Sequence, residues 1–124
     1  MVAYSFKRRF VDPILEGTKR QTIRADRRRH ARPGEELQLY TAMRTKSCRL
    51  IAKARCLSVE PVLLFFIGPP LIVVGTVRDP QPHPDDFAMA DGFADWGEMH
   101  DFWRTEHFDP AEFEGVIIKW EPLS

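Results

Sequence analysis

The first sixty residues alternate between apolar and polar positions in short runs, a pattern typical of half-buried β-strands. The runs cover Val2–Phe6, Gln21–Arg24, Leu37–Thr41 and Arg49–Leu57. A short helix follows the first run, because Phe10, Ile14 and Leu15 recur at helical spacing and Gly17 supplies a stop. The pattern therefore predicts four short strands and one helix in this half.

The second half combines further strands with two helices. Apolar runs predict a hairpin around Gly68-Pro69-Pro70 and a last strand, with strands at Val59–Ile67, Leu71–Val77 and Gly115–Trp120. Helices are predicted at Asp85–Ala90 and Asp95–Glu106. In the second helix, large residues recur every three or four positions, which favours a core role over base stacking; they are Trp96, Met99, Phe102 and Trp103.

Short strands separated by turn signals predict an α+β fold built on a small mixed β-barrel. The expected barrel has five or six strands and two or three short flanking helices. A length of 124 residues suits one domain, and no linker or repeat divides residues 1–124.

Composition narrows the setting of this domain. The most apolar stretch, residues 62–74, is too short to span a bilayer, and the N-terminal residues lack the apolar core of a secretory signal. Cys48 and Cys56 are too few for a disulfide scaffold and fit no zinc motif. We therefore expect a cytoplasmic protein that does not contact a membrane.

Charge is distributed unevenly although the net charge is zero. Residues 1–60 carry 15 Lys and Arg against 6 Asp and Glu, whereas residues 61–124 carry 3 against 12. This asymmetry indicates a polyanionic partner for the first half. It is equally consistent with two halves that neutralise each other across the fold.

The run Lys19-Arg20-Gln21-Thr22-Ile23-Arg24 carries the most distinctive chemistry. In a strand, Arg20, Thr22 and Arg24 share one face, and Lys19 lies at the junction between loop and strand. A lysine beside a hydroxyl group acts as a base when desolvation or nearby cations lower its pKa. The same residues also fit a basic strand edge that faces solvent.

The wider pattern around this run resembles the ASCH domain, a family related to the PUA-like β-barrels. The matching positions are Arg9-Phe10, Asp12, Ile14-Leu15, Gly17, Lys19, Thr22-Ile23-Arg24, Pro33-Gly34-Glu35 and Asp91-Gly92-Phe93. The resemblance runs through almost the whole chain. It implies a PUA-like fold and either a modified nucleoside or RNA as the partner.

One bacterial branch of that family hydrolyses N4-acetylcytidine with a lysine base, a threonine nucleophile and a glutamate proton donor. The resemblance implies these roles for Lys19, Thr22 and Asp91, without a cofactor or metal. Asp91 is one methylene shorter than glutamate, which shortens the reach of the proton donor. Asp91 also fits a structural role as acceptor for backbone amides before Gly92.

Other polar side chains are candidates for substrate or RNA binding. Arg9 and Arg24 are expected to position a phosphate, a base edge or a carbonyl oxygen, unless one of them pairs with Asp12 or Asp91. Tyr40 is either a stacking platform for a base or part of the core. A basic loop suits phosphate contacts or simple solvation; it contains Arg27, Arg28, Arg29 and Arg32.

Two other functions remain open from the sequence. One is a non-catalytic RNA-binding module that uses the same basic residues. The other is a metal-dependent ribonuclease, for which His100 and His107 lie seven residues apart near Asp101. The histidines are otherwise scattered, and no HExxH motif or Cys/His cluster supports a metal site.

Overall fold

A six-stranded mixed sheet and three short helices form the protein, as seen in a computed structural model that describes residues 2–25, 29–107 and 111–123. The strands are β1 (Val2–Phe6), β2 (Gln21–Arg24), β3 (Glu36–Thr41), β4 (Arg49–Phe65), β5 (Leu71–Val74) and β6 (Glu112–Pro122). The helices are α1 (Val11–Glu16), α2 (Pro84–Ala90) and α3 (Trp96–His107), and a 3-10 turn at Arg8–Phe10 precedes α1. The predicted α+β class is confirmed.

The strands are ordered β1-β3-β4-β6-β2, with β5 paired to β4 beside this path. The β1–β3 pair is parallel and the other pairs are antiparallel. The expected closed barrel is wrong, because β1 and β2 end the path and form no ladder within the described residues. A side chain connects them instead: Arg24 Nη2 on β2 donates to the Ser5 main-chain oxygen on β1 at 2.6 Å.

Strand β4 is longer than the alternation pattern predicts. Residues expected to form two strands make one strand of 17 residues, Arg49–Phe65. Its register against β6 shifts between Cys56 and Ser58, so Leu57 is an extra residue. Such a bulge bends a strand and increases its twist. The first part of β4 pairs with β3 and the last part pairs with β5 on the same edge, while β6 occupies the opposite edge.

The other element boundaries differ by a few residues. Strand β5 ends at Val74 rather than Val77, since Gln81 Oε1 accepts from the Val74 amide at 2.7 Å. Strand β6 extends beyond the predicted Gly115–Trp120 at both ends. The side chain of His83 caps α2 by accepting from the Asp85 amide.

Aromatic side chains join α3 to the sheet. Trp96 and Trp103 lie beside Phe66, with ring centroids 5.1 and 5.4 Å away. Met99 is fully buried between the same elements. The predicted core role is confirmed for Trp96, Met99 and Trp103, whereas Phe102 of the same stripe is only partly buried. None of the helices in the described part of the chain is long and apolar enough to span a membrane.

Gly115 allows β2 to lie close to β6. A Cβ atom at this position would lie 2.4 Å from the main-chain oxygen of Arg24 and 2.7 Å from the Phe113 ring. Because a paired main-chain oxygen cannot move away easily, we expect Gly115→Ala to lower the free energy of unfolding by about 1–3 kcal/mol. Urea unfolding measures this loss.

Gly97→Ala in α3 is the matched control. Its added Cβ would meet only a carboxylate oxygen of Asp95 at 3.3 Å. Its stability is expected to change by less than about 1 kcal/mol. Equal effects of the two substitutions would contradict the assigned contact between Gly115 and β2.

Candidate functional site

A cleft of about 550 Å³ opens between β1, β2, the turn after β3 and helix α3. The three residues predicted to be catalytic, Lys19, Thr22 and Asp91, all line it. Arg24 lines the same cleft. Four polar residues singled out from the sequence are therefore brought together, although Asp91 is far from the others in the chain.

A tight turn after α1 directs Lys19 into the interior. Gly17 ends the helix with a left-handed φ of 80°. The amides of Thr18 and Lys19 both donate to the Pro13 main-chain oxygen, at 3.0 and 3.1 Å. This geometry reverses the chain and leaves the Lys19 side chain 2% exposed.

Gly92 makes room for that side chain. Its φ is +100°, and a Cβ there would lie 3.1 Å from Cδ of Lys19 and 3.0 Å from the Phe10 ring. Any larger residue would crowd both groups and adopt a strained backbone conformation. The Asp91-Gly92 pair thus combines an acidic group with the space that Lys19 needs.

The Lys19 ammonium group is held by Asp91. Its Nζ donates to the Asp91 main-chain oxygen at 2.6 Å and lies 3.6 Å from Asp91 Oδ1. Gln21 Nε2 donates to the same Oδ1 at 3.3 Å. The Phe10 ring centroid lies 4.6 Å from Nζ. The Asp91 carboxylate therefore contacts the side chains of Lys19 and Gln21. It does not have the structural role considered from the sequence, in which it would accept from backbone amides.

Burial shifts the pKa of Lys19 and the pKa of Asp91 in the directions that favour a neutral amine and a neutral carboxyl group. Desolvation lowers the pKa of Lys19; Asp91 opposes this shift, and the positive charges of Arg24 and Arg9 add to it. Desolvation also raises the pKa of Asp91, against the opposing effects of Lys19 and Gln21. The cost of a neutral amine beside a protonated carboxyl is thus lower here than in water.

Thr22 and Arg24 are neighbours on one face of β2, as the alternation predicts. Arg24 Nε donates to Thr22 Oγ1 at 3.1 Å. The Arg24 guanidinium also lies over the Phe6 ring, 4.9 Å from its centroid. Because the Thr22 oxygen accepts from Arg24, its own proton is left to donate elsewhere. Arg20 is not on this face of the cleft, since its Nε donates to the Gly17 oxygen at 2.9 Å.

Arg9 lies outside the cleft lining. Its guanidinium pairs with Glu98 on α3 and lies 4.7 Å from the Phe93 ring centroid. It therefore pairs with neither Asp12 nor Asp91. Its contacts attach α3 to the 3-10 turn.

The remaining binding candidates that the structure describes also lie away from the cleft. The Tyr40 hydroxyl donates to Gln38 Oε1 at 3.1 Å, and its ring does not line the cleft. Arg29 forms an ion pair with Glu35. Arg27 and Arg28 lie outside the described residues.

Other lining residues escaped prediction from the sequence. Lys7 and Arg8 line the cleft beside β1, and Glu106 reaches it from α3. Lys7 Nζ lies 3.4 Å from Glu106 Oε1, with side chains 63% and 32% exposed. Lys7 and Arg8 directly precede Arg9 in the sequence, so three basic residues in a row were the available signal. Glu106 has no local signal, because only the path of α3 brings it to the cleft.

The part of the chain that the structure describes has no group of three metal-ligating side chains. His83 is used as a helix cap, and the His100 ring stacks on Phe66 with centroids 5.1 Å apart. The side chain of His107, named for a metal-dependent alternative, lies outside the description.

Comparisons with protein-family models, with curated proteins and with solved structures find no match. Assignment of a function must therefore be argued from the chemistry of the cleft.

Removal of Lys19 tests the buried pair. We expect Lys19→Met to lower the free energy of unfolding by about 3–5 kcal/mol at neutral pH, because Asp91 is left buried without its cation. The folded-state pKa of Asp91, already raised from 3.8 by burial, then rises further. The folded variant keeps a proton that the unfolded chain has lost, so its stability falls as pH rises above about 4.

The loss relative to the unsubstituted protein should therefore be small near pH 4 and grow toward pH 7. Chemical denaturation across this pH range measures it. Lys53→Met, at an exposed position of β4, is the matched control and should leave stability nearly unchanged. A loss from Lys19→Met that does not depend on pH would show that Asp91 is not the group left without its partner.

Proposed function

We propose that this protein is an ASCH-type amidohydrolase that removes the acyl group from the exocyclic amine of an N-acylated pyrimidine nucleoside such as N4-acetylcytidine. The observation that carries the proposal is the convergence of Lys19, Thr22 and Asp91 on one cleft. An amine, a hydroxyl and a carboxyl group at one site are the base, nucleophile and acid that amide hydrolysis uses.

The shape of the cleft supports a nucleoside-sized substrate. A volume of about 550 Å³ is typical of small-molecule sites. Its apolar walls suit the two faces of a base, and they include Phe6, Phe102 and Phe113. The buried polar groups Lys19, Thr22 and Asp91 come from β2, the turn before it and the end of α2, so they meet one end of a bound ligand.

In the acylation step, Lys19 as a neutral amine takes the Thr22 hydroxyl proton while Thr22 Oγ1 attacks the amide carbonyl carbon. Negative charge develops on the carbonyl oxygen as this bond forms, and the Arg24 guanidinium, whose Nε lies 3.1 Å from Oγ1, is close enough to stabilise it. The bond between the carbonyl carbon and the exocyclic nitrogen then breaks. The nitrogen takes a proton from Asp91 and leaves as the free amine of the nucleoside.

In the deacylation step, water attacks the Thr22 ester and gives up a proton to the Asp91 carboxylate. The ester bond breaks, the carboxylic acid leaves, and Thr22 Oγ1 recovers the proton held by Lys19. One water is consumed for each amide cleaved. Lys19 and Asp91 return to their starting protonation states, which their opposite pKa shifts bring closer to the ion pair in free energy.

The proposal includes the ASCH and PUA-like relationship that the sequence suggests, with the bent open sheet as a variant of that barrel. It also includes a cytoplasmic location, with which the unpaired thiols of Cys48 and Cys56 are compatible. A non-catalytic RNA-binding module is the second candidate. The observation that favours it is the four cationic side chains of the cleft lining: Lys7, Arg8, Lys19 and Arg24.

Turnover of N4-acetylcytidine distinguishes the two candidates. We expect release of cytidine and acetate, detected by chromatography, and a fall of at least about 10³-fold in kcat for Thr22→Ala, because the nucleophile is lost. Thr18→Ala is the matched control, since Thr18 is an exposed threonine of the same motif whose hydroxyl donates to the Pro13 oxygen. Absence of turnover, or equal turnover by Thr22→Ala, would reject the hydrolase.

The pH dependence of kcat/KM tests the paired roles of Lys19 and Asp91. Activity requires an unprotonated amine and a protonated carboxyl, so we expect a bell-shaped profile. In Asp91→Asn no carboxyl group remains at this site to lose its proton. Its residual activity should be about 10²–10⁴-fold lower, with the alkaline limb absent and a single acid limb that reports Lys19 alone.

Asp12→Asn is the control for this profile, because Asp12 is an exposed carboxylate of the same motif. It should keep both limbs and nearly full activity. An alkaline limb that persists in Asp91→Asn would contradict the assignment of Asp91 as the proton donor.

A further inference from the structure

The fold converts the charge asymmetry of the sequence into two clefts of opposite character. Among the residues that the structure describes, four cationic side chains and two carboxyl groups line the cleft described above. A second cleft, of about 670 Å³, is lined by three carboxylates and one lysine: Glu60, Asp79, Asp86 and Lys119. The basic and acidic halves of the chain thus do not simply neutralise each other, and the basic cleft keeps an excess of positive charge.

Two cations of the lining, Arg8 and Arg24, account for that excess. Both carboxyl groups of the basic cleft already have cationic neighbours, Glu106 with Lys7 at 3.4 Å and Asp91 with Lys19 at 3.6 Å. Arg24 donates to a hydroxyl and a main-chain oxygen. Arg8 is exposed and has no hydrogen-bonding or ion-pair partner among the residues that the structure describes.

We propose that the cleft takes its nucleoside as a phosphate ester, and that Arg8 binds the phosphate group. The nucleoside part of this inference rests on the proposed function. A guanidinium group presents paired N–H donors that match two phosphate oxygens. Arg8 is therefore the side chain of the lining best suited to a group with two or more anionic oxygens.

The positions of the lining residues support an orientation with the base inside the cleft and the phosphate at its exposed end. Lys19, Thr22 and Asp91 are buried, whereas Lys7 and Arg8 are exposed. If the acylated base of a nucleotide contacts the buried groups, its sugar and phosphate lie toward the exposed cations. Lys7 supplies a second positive charge there, because its exposed pair with Glu106 is weak enough for a phosphate to compete.

The phosphate ester has two sources, a free mononucleotide or a nucleotide within RNA. Both present the same chemistry to Arg8. A mononucleotide offers a terminal dianionic group, whereas RNA offers a diester and further phosphates. The binding experiment therefore includes both kinds of ligand.

Calorimetric titration with unacylated ligands tests the inference without requiring turnover. The ligands are cytidine, cytidine 5′-monophosphate, cytidine 3′-monophosphate and a short single-stranded RNA. We expect at least one phosphorylated ligand to bind about 10-fold or more tightly than cytidine, the effect of one charge-assisted hydrogen-bonded contact. Tighter binding of a monophosphate assigns the free nucleotide, and tighter binding of the oligonucleotide assigns RNA; both support the inference.

Arg8→Gln should remove most of that preference while leaving the affinity for cytidine unchanged. Arg78→Gln is the matched control, because Arg78 is an exposed arginine that lines neither cleft. Equal affinity for cytidine and every phosphorylated ligand would overturn the inference, as would equal losses in the two variants. Thermal unfolding of both variants verifies that they are folded.

The outcome is separable from that of the proposed hydrolase. Turnover of N4-acetylcytidine without any preference for phosphorylated ligands would keep the hydrolase and reject the phosphate site. A preference abolished by Arg8→Gln, without turnover, would support the phosphate site and reject the hydrolase. Absence of measurable binding by every ligand would reject the phosphate site.

Discussion

Lys19 and Asp91 are separated by 72 residues in the chain, yet they meet in the interior, where neither side chain is more than 7% exposed. Removing an ammonium group from water is costly unless other groups replace its hydration. Here a main-chain oxygen, a carboxylate oxygen and the Phe10 ring supply that replacement. Because this oxygen belongs to Asp91, the residue that directly follows α2, the contact fixes the end of α2 beside the turn that leads into β2.

A second polar link holds the other side of the cleft. Strands β1 and β2 are the ends of the sheet path, and only the Arg24 side chain is seen to hydrogen-bond between them in the described chain. A closed ladder would place strand backbone where the cleft now opens. The gap thus gives Thr22 access to a ligand, while Arg24 keeps the two edges from separating. The opening of the sheet and the orientation of Thr22 depend on the same guanidinium group.

Local patterns in the sequence were sufficient for much of the fold but not for its closure. Alternation identified β1, β2 and β3, and the spacing of Trp96, Met99 and Trp103 identified the buried face of α3, because these signals reside in neighbouring residues. The bulge at Leu57 and the order of the strands depend on pairing between distant segments, which periodicity does not encode. The wrong prediction of a barrel follows from that difference.

The site shows the same division between local and distant information. Lys19, Thr22 and Arg24 share one short turn and strand, so their proximity follows from local geometry. The position of Asp91 was indicated only by the longer ASCH-like pattern, and Glu106 by nothing local. Arg9 lies in the motif but does not belong to the site, because it forms an ion pair with Glu98 on α3. Its neighbour Arg8 faces the cleft without an acidic partner in the described part of the protein. In a run of like charges, tertiary packing thus decides which side chain pairs with another element of the fold and which one stays exposed in the cleft.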